Sequence, residues 1–337
     1  MNGRRRGLWP ALVAAAVLAA VLAPLAGPVH VAPAALGRAL LHPAGADPVA
    51  VRILALRLPR VALGLLVGAF LAMAGAAFQT LLGNPLATPY TVGVAAAGSF
   101  GAFLAMALGT AASLGPVGSV PAVALAFAVG ELALLAALAR RARWGRTALV
   151  LAGVTLNFLF AGATLFVRLL AEPFTLQAMD RWLMGGLAAV TWRPVVEAAL
   201  LGLPAAAVLL AGAGVLDQLA LGGAVAHGRG VAVGRWRAAI LGAGAWLTAA
   251  AVAQAGPIAF VGLVVPHAVR ALTGAPHRRV LPASALAGGA ALVLADALAR
   301  TVRLPGGGAE LPVGLVTALV GGPVFLLLLM RTGRPAR

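Results

Sequence analysis

The chain has no cysteine and no lysine, and only 10% of its residues are charged. Without cysteine there is no disulfide framework and no thiolate chemistry. Without lysine there is no ordinary Walker A site, because that loop sets a lysine on the nucleotide phosphates. Any ATP that drives this protein is therefore hydrolysed by another chain. The shortage of charge is as informative. Soluble domains are about 25% charged and 45–50% apolar, whereas 62% of these residues are hydrophobic. The alternating segments of ~10 residues that mark a membrane β-barrel are missing as well.

What remains is a chain of 337 residues built from apolar runs. A membrane-crossing helix needs roughly 20 apolar residues. Ten spans are predicted, at about 8–29, 61–82, 91–110, 117–138, 147–170, 194–212, 238–255, 257–273, 280–300 and 312–330. The fold class is thus all-α and polytopic, with one transmembrane domain over 1–337. Gly and Pro mark the junctions, as in "LGNPLATP" and "LPGGGAELP". The opening "MNGRRRGLWPALVAAAVLAAVLAPLAGPV" has the arginines and apolar core of a signal peptide. Its apolar stretch is long and many spans follow, so an uncleaved first helix is expected.

One region does not divide cleanly. Ala238 to Thr273 is 36 residues, about 54 Å of helix. That exceeds one crossing of ~30 Å and falls short of two. Two short helices broken around Gly256-Pro257 are expected. The second lies in "GPIAFVGLVVPHAVRALTGAPHRRVLP", Gly256 to Pro282. Its Pro266 leaves backbone groups of the preceding turn without partners, tolerable in a membrane only under protein cover or beside a wet cavity. The Pro-His pair is expected to mark a bend near the exit.

The formal net charge is +17, and all 25 basic residues are arginine. In a soluble protein this would point to nucleic acid. Beside a membrane, positive loops account for it, and no nucleic-acid partner is expected. Sixteen arginines fall at the termini and in the loops 139–146, 213–237 and 270–279; nine fall on the other face. The positive-inside rule then puts both termini in the cytoplasm. The outer loop 30–60 breaks the pattern, with Arg38, Arg52, Arg57 and Arg60 against the single acid Asp47. These arginines either snorkel at the interface or form an outward basic patch for an acidic partner.

From "LRLPRVALGLLVGAFLAMAGAAFQTLLGNPLATPYTVGVAAAGSFGA" onward the chain resembles the FecCD/BtuC-type permease subunits of bacterial ABC importers. Those carry ferric siderophores, haem and vitamin B12. The resemblance continues through "LLAEPFTLQAMDRWLMGGLAAVTW", "LDQLALGGAVAHGRGVAVGR" and the Gly256–Pro282 stretch. It closes with "LPASALAGGAALVLADALARTV" and "AELPVGLVTALVGGPVFLLLLMR", covering about 50 to 331.

The resemblance implies a BtuC-like permease in the inner (cytoplasmic) membrane. It implies pairing with a second copy or a paralogue around a translocation path. It also implies two cytoplasmic ABC ATPase subunits beneath and a periplasmic or lipid-anchored binding protein above. The loop at about 213–237 corresponds to the coupling element, with Leu221, Gly222, Gly223, His227 and Gly230 at the ATPase surface, supported by His267, Arg270 and Arg278. The family usually has Gly-Glu where this chain has Gly222-Gly223, so one carboxylate is absent from that contact. The outer arginines Arg57, Arg60 and Arg300, with Arg303 in the same loop, correspond to those that dock the binding protein. "NPLATPYTVGV" and "LAEPFTLQAM" read closer to the iron-chelate members than to the cobalamin ones.

Gln79, Asn84 and Asn157 lie in or beside spans, where they either bond between helices or line the path. Asn84-Pro85 reads as a turn and cap. Glu131 lies within the fourth span, where a central charge costs about 2.5–3.5 kcal/mol, so a neutral carboxyl or one turned toward protein is expected. Asp296 and Arg300 form an i,i+4 pair, read as structural. His267 has no nearby Cys, Asp or Glu to complete a metal site. His30, His42, His227 and His277 read as scattered loop residues. No metal and no cofactor are expected. An ion-coupled secondary transporter would need an intramembrane acid, for which only Glu131 and Asp296 are candidates. An intramembrane enzyme would need a nucleophile and base or a metal cluster, and neither is found.

Overall fold

The computed structural model describes residues 8–109, 118–141, 146–187, 191–274, 276–302 and 310–332. Among them are fourteen α-helices. Six are long and apolar enough to cross a membrane, and four shorter apolar helices stand at the remaining predicted spans.

The first helix, α1 (Leu8–Leu22), runs into a 3-10 turn, Ala23–Leu25. The predicted outer loop 30–60 is largely helical instead. It contains α2 (Pro33–Leu41) and the first turns of α3 (Pro48–Leu82). The start of α3 is locally encoded. Asp47 caps it by accepting a bond from Val49 N, and Pro48 occupies the first turn, where its missing N–H is not needed. The far end stops at Gly83 in the left-handed region, with Asn84 N reaching back to the Gln79 carbonyl. Asn84 is thus a turn residue, and its Oδ1 accepts from Leu86 N.

Three helices follow: α4 (Val94–Ala107), α5 (Ser119–Arg141) and α6 (Arg146–Leu169). The short α7 (Pro173–Leu183), not predicted, ties back through an Arg168–Asp180 ion pair of 2.6 Å. Then come α8 (Arg193–Ala211) and two short helices, α9 (Ala213–Ala220) and α10 (Gly223–Gly228). The predicted break at Gly256 is present, but it separates unequal pieces. α11 (Val233–Ala255) has 23 residues and α12 (Val261–Thr273) has 13. Gly256 and Phe260 both have positive φ at this break. The last helices are α13 (His277–Thr301) and α14 (Val313–Thr332).

The core is the antiparallel pair α3 and α13, the most extensive helix contact in the molecule, with α11 and α12 packed on α3. Small residues make this possible. A Cβ on Gly68 would strike the Gly288 backbone, and one on Gly75 would strike the Gly262 carbonyl. In a membrane such small-residue contacts carry the packing, since burial of apolar area there gives no driving force. Gly262 is also the residue four before Pro266, whose ring nitrogen cannot donate to it. The orphaned carbonyl lies against the Cα of Gly75, and the next one, of Leu263, accepts from Gln79 Nε2 at 3.2 Å. The protein cover that Pro266 requires is supplied by α3. Pro266 itself sits within the continuous helix α12.

Gly75→Leu should lower stability by about 3 kcal/mol or more, because backbone atoms cannot move aside as side chains do. Gly37→Ala on α2, where a Cβ meets nothing within 4 Å, should be neutral or slightly stabilising. Thermal unfolding of the two purified variants in detergent checks the pair.

Candidate functional site

Two clusters of polar side chains join α3 to α13, one at each end. Arg60 and Thr80 lie 20 residues apart on α3, about 30 Å of helix. Their partners on α13, Asp296 and His277, lie 19 residues apart. That spacing matches the ~30 Å hydrocarbon thickness, so each cluster stands near one membrane face.

The first cluster is built on Asp296, whose side chain is 2% exposed. Arg60 reaches it from α3, with Nη2 at 2.8 Å and Nε at 2.9 Å from Oδ1. Arg300, one turn along α13, places Nε 3.0 Å from Oδ2. Arg60 also holds Glu310 at 2.7 Å. The i,i+4 pair read from sequence is present, and Arg60 makes it a triad. Arg57 and Arg300 turn inward instead of presenting an open basic patch. Arg57 donates to the carbonyls of Pro24 (2.6 Å) and Val29 (3.0 Å). Arg300 donates to those of Ala26 (2.8 Å) and Ala23 (3.1 Å). Beyond α1 the chain passes through the 3-10 turn into extended backbone, where α-helical partners for the carbonyls are lost; the guanidiniums supply donors, and Ala23 O accepts from Ala26 N as well. Arg57 is buried, Arg300 more so, and Arg60 keeps 19% of its side chain exposed. Arg303 lies outside the described residues.

The second cluster holds Gln79, Thr80, Arg270, His277 and Asp217. Gln79 links α3 to α12 twice, through Leu263 O and through Arg270 Nη1 at 3.1 Å. Arg270 Nη2 donates to Thr80 Oγ1 and Ala76 O, both at 2.8 Å. His277 Nε2 is 2.7 Å from Thr80 Oγ1. His277 is buried in the first turn of α13, not a loop residue. Its Nδ1 and its backbone N both face Asp217 Oδ1, at 2.6 and 2.7 Å. An ionised carboxylate only accepts, so the Nδ1 proton points at Asp217. Sequence reasoning missed Asp217, Thr80 and His277. The signal available was the matched 20- and 19-residue spacing of polar residues along two apolar helices.

The other candidates are placed as follows. Leu221 and His227 are exposed on the α9–α10 pair, and Gly222 and Gly230 have positive φ. Gly223 lies under Arg237, where a Cβ would be 3.0 Å from Nη2. Arg278 is exposed, with its guanidinium over Gly214. His267 is half-buried on α12 and joins neither cluster, and Asn157 is half-buried on α6. Glu131 is buried, with neither carboxylate oxygen hydrogen-bonded. Glu197, unnoticed in the sequence, bonds Arg193 Nε and Gln254 Nε2, each at 2.8 Å.

Long apolar helices clasped by polar clusters at both ends, with a short helical pair at one of them, define a multi-pass membrane protein. Residues 13–331 match the FecCD transport family model. The chain is 41% identical to the cobalamin import system permease protein BtuC of Halobacterium salinarum, over 81% of this chain and 72% of that protein. It is 38% identical to the hemin transport system permease protein HmuU of Yersinia pestis, over 82% of each. Among solved structures, it superposes on a metal-chelate type ABC transporter in an inward-facing conformation. The TM-score is 0.84 at 30% identity, covering 97% of this chain and 99% of that one. The chain therefore belongs to the FecCD transport family and is an ABC importer permease of the FecCD/BtuC type.

Asp296→Ala should cost about 3 kcal/mol, since it takes the counter-charge from the buried Arg300 and leaves Arg60 with Glu310 alone. Adding Arg300→Met should recover part of that loss. Thermal unfolding of the single and double variants measures both.

Proposed function

We propose that this chain carries an iron chelate, a ferric siderophore or haem, inward across the cytoplasmic membrane. A separate ABC ATPase subunit hydrolyses the ATP, and a binding protein delivers the substrate at the outer face. A second permease, a copy or a paralogue, completes the path. Family membership is the observation that carries this reading, and the missing lysine supports the separate ATPase. Both termini lie in the cytoplasm on this reading, from the arginine count. The whole of 1–337 is one permease domain, and α9–α10 with the rest of 213–237 meets the ATPase. Asn157 sits on α6, a helix with only 17% of its membrane window buried, which suits a path-facing position opposite the second permease.

The outer cluster is the proposed docking site for the binding protein. Three arginines face two acids there, leaving a positive surplus. Arg60 is the most exposed of these three arginines, and Arg57 and Arg300 hold the segment leaving α1 beside it.

Vitamin B12 is the second reading for the substrate, favoured by the 41% identity to a cobalamin permease. Purifying the cognate binding protein and identifying its ligand by absorbance and mass spectrometry decides between them. A siderophore or haem is expected, and a corrinoid overturns the iron-chelate reading. Reconstituted in liposomes, the chain should take up substrate only with its ATPase and ATP. Uptake by the chain alone under a proton gradient would overturn the class of mechanism. At the docking site, Glu310 competes with binding-protein carboxylates for Arg60. Glu310→Gln should therefore strengthen docking several-fold, an effect that fades as salt rises. Surface plasmon resonance at two salt concentrations reads both.

A further inference from the structure

The cluster around His277 joins four elements that the chain separates widely. Asp217 belongs to α9, His277 to α13, Thr80 to α3 and Arg270 to α12. α9 and α10 form the short pair outside the apolar spans. α12 follows directly on the break at Gly256–Phe260. The polar chain thus runs from the pair, through two long helices, to the broken segment.

Its geometry transmits position. One oxygen of Asp217 holds both the first amide and the ring of His277, at 2.7 and 2.6 Å. Shifting α9 by an ångström would break both bonds or drag the start of α13 along. The other ring nitrogen meets Thr80 at 2.7 Å, and Thr80 accepts from Arg270 at 2.8 Å. Arg270 continues to Gln79, and Gln79 to the Leu263 carbonyl, at 3.1 and 3.2 Å. His277 is 3% exposed. The Asp217 side chain is 36% exposed, so the cost of breaking the polar chain falls on the buried His277 ring, which would lose a partner on either side. Apolar packing also seats α9, through Leu216 and Leu219, but such contacts can slide where hydrogen bonds cannot.

We propose that Asp217, His277, Thr80 and Arg270 are positioning residues that pass movement of the α9–α10 pair to α3, α12 and α13. This rests on the reading that α9–α10 meets the ATPase. Thr80 is the joint at which the link can be cut with least disturbance. Thr80→Val keeps the shape and removes the hydroxyl; Thr80→Ser restores it.

The cysteine-free chain allows spin labels at Val225→Cys on α10 and Leu272→Cys on α12, both exposed positions. In the full chain without partners, the wild-type background should give one narrow distance peak. Thr80→Val should lose it, and Thr80→Ser should keep it. A peak as narrow in Thr80→Val as in the wild type overturns the link. With the ATPase reconstituted in liposomes, Thr80→Val should still bind the ATPase and hydrolyse ATP. Substrate moved per ATP should fall by at least about fivefold, and Thr80→Ser should restore it. Hydrolysis and transport falling in parallel, or both unchanged, overturns the positioning role. A wild-type chain that binds no ATPase through α10 overturns the underlying reading instead, and the distance measurement alone then decides the link.

Discussion

Much of the structure hangs on the neutralisation of Asp296. A carboxylate 2% exposed is costly as an unpaired ion in a low-dielectric surrounding. Two guanidiniums from different helices meet it, Arg60 from α3 and Arg300 from α13 itself. That fixes the register of the two helices at one end. The remaining donors are then committed as well. Arg60 extends to Glu310, and Arg300 turns its outer nitrogens onto Ala23 and Ala26. With Arg57 on Pro24 and Val29, the charges that hold the helix pair also hold the segment leaving α1. These arginines are therefore structural before they are anything else. A partner drawn to this surface meets a net positive cluster whose geometry is already set from within.

The broad plan was legible because it follows from length and hydropathy. The break at Gly256 was readable as 36 residues that fit neither one crossing nor two. The need to cover Pro266 was readable from its missing donor. The cover itself, Gly75 on α3, was not, because a glycine in an apolar run looks the same whether or not a carbonyl approaches it. The stretch 30–60 was misread as loop because its arginines suggested solvent. In the structure α2 carries Arg38 and the 35-residue α3 carries the other three; Arg57 and Arg60 bond inward, while Arg38 and Arg52 stay exposed. His277 was misread because Pro, Arg and Arg surround it. The single buried face of the first turn of α13, with Asp217 below and Thr80 opposite, exists only once α9 has folded back.

The two polar clusters and the glycine contacts between them divide the work along α3. In the middle, Gly68 and Gly75 let backbones touch Gly288 and Gly262, and close packing holds the helices without directional bonds. At the ends, hydrogen bonds and ion pairs fix register. A helix pair built this way resists sliding at its ends, and between the clusters it buries one hydroxyl, that of Ser284, whose Oγ has no hydrogen-bond partner among the described residues.

The same distribution bears on how energy enters. An ion-coupled mechanism needs an acid that can take up and release a proton or cation as it changes partners. Asp296 is poorly suited, because protonation would strand two arginines. Glu197 is held by Arg193 and Gln254. Glu131 lacks a hydrogen bond, but it is shut between Gly93 and the helix α6, where a Cβ on Gly93 would lie 2.9 Å from its Oε1 and 3.2 Å from the Gly153 carbonyl. It touches neither polar cluster. The groups that tie the short pair α9–α10 to the long helices are Asp217, His277, Thr80 and Arg270. A force applied to that pair has a bonded route into α12, just past the break at Gly256, whereas of the three buried acids Glu197 alone is tied near that break, through Gln254 on α11.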